Sequence, residues 1–223
     1  MTAQDSNRDL VYSRIDAALA PLRQEASEGK RILAEYPDYD ENLSVTHNLP
    51  DLGEGPDALW KIFAHKVAAV NGQAMESPSE VIKFFSDNGC KLGYCDAALL
   101  EIFQAAATEA KADVTFETDF KMDDPDRYDF GITRASGAIA ETGSIIFSDE
   151  ASSSRLAALA PWVHVAALKK EDILADCPTA IREKLGTDPN VIWATGPSKT
   201  ADVEGILIEG VHGPGVQICC LVD

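Results

Sequence analysis

Residues 195–214, TGPSKTADVEGILIEGVHGP, hold the densest set of residues able to do chemistry. Gly196, Pro197 and Ser198 read as a turn that starts a short helix, and Gly210, Gly213 and Pro214 read as its stop and a second tight turn. The first amides of such a helix lack internal partners. They predict a small-anion site at the helix start, with Lys199 and Thr200 beside it and Lys199 adding charge. At about 100° per residue, Ala201, Val203, Ile206, Leu207 and Ile208 fill one arc, and Asp202, Gly205 and Glu209 lie opposite. Glu204 falls inside the apolar arc. A carboxylate there either has a partner or a shifted pKa, or it leans out at the helix edge; the pattern leaves both open.

A second stretch, residues 138–147, interrupts two apolar segments with Glu141, Thr142, Gly143 and Ser144. The break is either a bulge that exposes backbone amides or a plain hairpin turn with Glu141 in solvent, and the residues alone favour the turn. His164 stands alone in the apolar strand PWVHVAAL and reads as a hydrogen-bonded core residue.

The elements that must position these residues follow from periodicity. Residues 1–20 carry a helical pattern ending at Pro21, and residues 22–55 form a polar, turn-rich arm. From residue 56 the chain predicts a separate domain, with helices over about 59–70, 77–88, 97–111, 152–159 and 171–185, Pro178 bending or splitting the last of these. Strands are predicted over 73–75, 91–95, 113–118, 130–133, 145–147, 161–168, 191–195 and 216–222. Strands alternating with helices predict an α/β fold with a parallel or mixed sheet covered by helices. Ligands in such folds sit beyond the carboxyl ends of strands, where the Gly196 turn is expected.

Composition removes several function classes. A net charge of −18 argues against nucleic acid or an anionic membrane as partner, because both need basic faces. No apolar run reaches membrane-spanning length and the N-terminus has no signal-peptide core, which predicts a cytoplasmic protein. The five cysteines are odd in number and contain no Cys-x-x-Cys, so they predict reduced thiols, no metal site and no cofactor on this chain. Neither a Walker A sequence nor Gly-x-Gly-x-x-Gly is present.

AETGSIIF, PWVHVA, GPSKTADVE and GVHGP, in this order, resemble the lactate utilization protein C family, the LUD domain. The likeness runs from about Trp60 to the end, and Arg14-Ile15 is similar to part of the family's leading helix. It implies a three-layer fold of the NagB/RpiA/CoA transferase type. It also implies a part in oxidising L-lactate to pyruvate, with iron–sulphur clusters on partner subunits. Glu141, Thr142, Gly143 and Ser144 match the family's first motif. Gly196, Pro197, Ser198, Thr200, Ala201, Asp202 and Glu204 match the second, and His212, Gly213 and Pro214 the third. Three features depart from the family pattern: the acidic arm, Ser144 where Thr is commoner, and Lys199 where Arg is frequent. Lysine keeps the charge but loses a bidentate clamp.

The leading expectation is a partner-dependent subunit of a lactate-oxidising system. It would hold a small anion such as lactate or pyruvate between Gly143-Ser144, Ser198–Thr200 and His212. Glu141 or Glu204 would serve as base or orienting carboxylate and His212 as acid/base partner. The alternatives are a stand-alone enzyme acting on an acyl-CoA or a sugar phosphate, and a non-catalytic sensing or assembly protein.

Overall fold

The computed structural model describes residues 13, 14, 17, 20, 55–148, 154–184, 190–201 and 207–222. The chain divides into two compact units, Met1–Leu43 and Ser44–Asp223. In the first, Ser13, Arg14, Ala17 and Ala20 are helical; the predicted arm lies outside the described residues apart from Gly55. Among the described residues no helix is long and apolar enough to cross a membrane.

The second unit is an α/β fold. Helix α1 (Pro56–Ala69) leads into β1 (Gln73–Met75), α2 (Pro78–Asp87), β2 (Leu92–Cys95), α3 (Leu100–Ala110) and β3 (Thr115–Glu117). Proline opens both α1 and α2, where its missing N–H costs nothing. Strands β4 (Phe130–Arg134), β7 (Val163–Leu168) and β12 (Val216–Leu221) complete a six-stranded sheet ordered β1-β12-β7-β4-β2-β3, with every pairing parallel. A second sheet, β8-β5-β6-β9, is built from β5 (Gly137–Ile139), β6 (Ser144–Ser148), β8 (Ile173–Leu174) and β9 (Val191–Ala194).

The two faces of the large sheet divide the core. Alternation along β7 sends Val163, Val165 and Ala167 toward α2 and α3, where Phe85, Phe103 and Phe130 are fully buried. Ala166 and Leu168 pack instead with Cys219, Leu221, Phe63 and Val67 of α1, and Ile145 and Phe147 of β6. Each of the fully buried large side chains contributes roughly 1.5–3 kcal/mol. The outer face of the small sheet, through Ile139 and Ile146, packs against Ala180 of α5 (Cys177–Lys184).

Two local expectations are corrected. The helix expected over 171–185 begins only at Cys177, because residues 173–174 pair with β5 as β8 and Pro178 sits in the first helical turn. Among the described residues, no helix follows the Gly-Pro-Ser turn. Residues Lys199–Ala201 (β10) and Leu207–Glu209 (β11) form an antiparallel pair, with Thr200 opposite Ile208. Leu207 and Ile208 are 65% and 46% exposed, so the apolar arc that suggested a helix does not face a core.

Candidate functional site

The two sheets part near the amino ends of β7 and β12 and leave a cavity of about 190 Å³. Thr133, His164 and Gln217, on the neighbouring strands β4, β7 and β12, line it from the large sheet. Phe147 of β6 and Ile192 and Ala194 of β9 face them from the small sheet. Ser154 and α4 (Arg155–Leu159) close one side; the Gly196–Ser198 turn and His212–Pro214 close another. The Gly196 turn follows the carboxyl end of β9, where it was expected, while His164 and Gln217 reach the cavity from near the amino ends of β7 and β12.

Why the core pattern breaks here is visible in the alternation. His164 and Gln217 occupy the same face as Ala166 and Cys219 but one step toward the amino ends, so polar groups replace apolar ones at that edge. His164 is 1% and Gln217 2% exposed, and each must find partners. His164 Nε2 lies 2.8 Å from Thr133 Oγ1, and Nδ1 lies 3.0 Å from Gln217 Oε1. Burial disfavours the charged ring and pushes its pKa down to about 4, against a smaller opposing effect of the Gln217 hydrogen bond. The Phe147 ring stands 5.4 Å from the imidazole.

The motif turns are locked to one another and to α1. Ser144 Oγ bonds Thr142 Oγ1 and Thr195 Oγ1, each at 2.7 Å, joining the Glu-Thr-Gly segment to the residue preceding Gly196. Ser198 N donates to the Pro214 carbonyl at 2.9 Å, and Gly210 N donates to the Ser198 carbonyl at 2.9 Å. Lys199 Nζ donates to the Val70 carbonyl at 2.8 Å and lies 3.8 Å from the Glu209 carboxylate, so it ties the end of α1 to the hairpin. Gly196 has φ +72°, and a Cβ there would meet the Val70 oxygen at 2.3 Å. Gly143 has φ +68°, and its Cβ would meet the Val67 nitrogen at 2.5 Å. Both positions need glycine for conformation and for space.

Of the motif residues singled out by sequence, Gly196, Ser198, His212, Gly213 and Pro214 line the cavity. Thr142 and Ser144 connect to it through Thr195, while Pro197 is buried in the turn and Thr200 pairs in the hairpin. Glu141 belongs to the hairpin turn between β5 and β6 and is directed elsewhere: its Oε2 accepts from Cys177 N at 3.0 Å, at the start of α5. Asp202 and Glu204 lie outside the described residues. Sequence reading placed His164 in the core without seeing its cavity, and it missed Thr133, Gln217 and Arg155. The five cysteines are free thiols; Cys90, Cys95, Cys219 and Cys220 are buried. Burial pushes Cys95 and Cys220 up to about 12, away from nucleophilic use.

Comparison with known proteins fits this architecture. A DUF162 family protein from Deinococcus radiodurans superposes with a TM-score of 0.56 at 18% identity, over 76% of this chain and 100% of that one. Lactate utilization protein C of Oceanobacillus iheyensis is 30% identical over 105 residues, 44% of this chain and 45% of the relative. The proteins of that name from Deinococcus radiodurans and Bacillus subtilis are 33% and 34% identical over 93 and 91 residues, covering 44% and 38% of their lengths. The matched stretch thus spans under half of each of these relatives. The family model of the LUD domain matches residues 64–222, which include every residue named here as lining the cavity, and the chain belongs to the LUD domain family.

Proposed function

We propose that the chain is a subunit of a lactate utilization system and that its cavity holds a small organic acid of the lactate and pyruvate type. The observation that carries this reading is the cavity's composition. Phe147, Ile192, Ala194 and Leu159 give apolar walls suited to a methyl group, and Arg155, Ser198 and His212 supply charge and donors for a carboxylate. Its volume also suits so small a ligand: a cavity of about 150 Å³ accommodates benzene, which has as many heavy atoms as lactate or pyruvate. The names of the relatives supply the metabolic setting. In this reading His212 is the acid/base partner. Redox chemistry needs an electron acceptor, which iron–sulphur clusters on partner subunits would provide, so turnover is partner-dependent.

The acyl-CoA and sugar-phosphate alternative gains nothing from Glu141, because that carboxylate is engaged with the Cys177 amide. A thermal-shift panel with L-lactate, pyruvate, phosphate, a sugar phosphate and CoA tests the reading. A ligand at a hundredfold excess over its Kd adds about 2.7 kcal/mol to native stability. The expected result is a selective rise in Tm with lactate or pyruvate. A rise only with CoA or a sugar phosphate, or none at all, would overturn it.

A further inference from the structure

Proton positions in the buried network follow from its acceptors. Gln217 Nε2 faces two carbonyl oxygens, of Ile218 at 3.2 Å and of His164 at 3.5 Å, so the amide NH₂ occupies that side. Gln217 Oε1 therefore faces His164 Nδ1, and an amide oxygen only accepts, so Nδ1 carries the ring proton. In the neutral ring Nε2 is then a bare lone pair. The 2.8 Å contact with Thr133 Oγ1 is an O–H···N bond with the threonine donating. The single hydroxyl proton of Thr133 is committed to His164, and what Thr133 offers to a molecule in the cavity is oxygen lone pairs.

We propose that Thr133 sets the ligand preference of the cavity: fixed as a hydrogen-bond acceptor, it selects an acid that carries a hydroxyl donor over the corresponding 2-oxo acid. This rests on the reading of the cavity as a small organic acid site. A 2-hydroxy acid can donate its O–H to Thr133. A 2-oxo acid would bring a carbonyl oxygen against an oxygen with no free proton. Accommodating it requires Thr133 to turn its proton away from His164, which leaves Nε2 unpaired on a side chain only 1% exposed. A site built around one polar partner discriminates strongly against the analogue that cannot supply it. His164 and Gln217 act through Thr133 and are positioning residues.

The test is calorimetric titration of the 223-residue chain with L-lactate and with pyruvate, for wild type, Thr133→Val and Thr133→Ser. Wild type is expected to bind lactate about tenfold or more tightly than pyruvate, the effect of one unmatched polar partner. Thr133→Val, which keeps shape and strand propensity, removes most of that ratio by weakening lactate. Thr133→Ser, which keeps the hydroxyl, preserves it. Equal affinities in wild type, a ratio that survives Thr133→Val, or one lost in Thr133→Ser each overturn the assignment and leave the cavity reading intact. Binding of neither acid to wild type overturns both.

Discussion

Gln217 Oε1 lies 3.0 Å from His164 Nδ1, and the two residues sit directly opposite one another on the parallel strands β12 and β7. The bond links two largely buried strands and orients an imidazole toward Thr133 at the cavity wall. A glutamine serves this purpose because its amide satisfies the ring on one side and backbone carbonyls on the other.

Gln217→Leu keeps the approximate volume and removes both functions. Whichever ring nitrogen then holds the proton, one nitrogen of His164 is left buried without a partner. Urea denaturation should show a loss of about 1–3 kcal/mol. A loss below about 0.5 kcal/mol, the scatter of surface substitutions, would mean that the network has no structural weight.

His164 also predicts the pH dependence of stability. Its folded pKa is depressed, from 6.5 to about 4, because burial disfavours the cation. Between these values the unfolded chain binds more protons than the folded one, so stability rises with pH there. The contribution is fully present above about pH 6.5 and is lost as pH falls toward about 4, with a total on the order of 3 kcal/mol. Carboxylates titrate in the same window, so the measurement is the difference between wild type and His164→Asn in urea midpoints across that range. A pH-independent difference would contradict this account of His164.

Gly143 and Gly89 separate conformational strain from crowding. Both have φ near +70°, but a Cβ at Gly89 has nothing within 4 Å whereas one at Gly143 meets the backbone of Lys66 and Val67. Gly89→Ala should cost about 1–2 kcal/mol, the left-handed penalty alone. Gly143→Ala should cost clearly more, because backbone atoms of α1 must shift. Equal losses by denaturation would show that the Glu-Thr-Gly turn is not packed on α1 as described.

The alternation of strands and helices was legible in the sequence because β7 is a short, continuously buried run and α2 keeps its apolar residues at helical spacing. The antiparallel pairing of Lys199–Ala201 with Leu207–Glu209 was not. Its apolar residues sit at helical spacing, yet cross-strand pairing and exposure decide its form, and neither leaves a local signal. The cavity was half legible. Gly196, Ser198, His212 and Gly213 stand in two compact motifs, and the sequence pointed to both. Thr133, His164 and Gln217 are separated by 31 and 53 residues and meet only through the register of three parallel strands. Single-sequence periodicity says which face a strand residue occupies and not which neighbour it finds across the ladder.

The most direct test of the account is a histidine side-chain ¹H–¹⁵N spectrum of the labelled protein, recorded while L-lactate is added. The structure predicts that His164 carries its proton on Nδ1, and that the signals of His164 and His212 move with ligand while those of His65, exposed on α1, stay in place. An Nε2–H tautomer for His164, or saturation with lactate that leaves both cavity histidines unmoved, would contradict it.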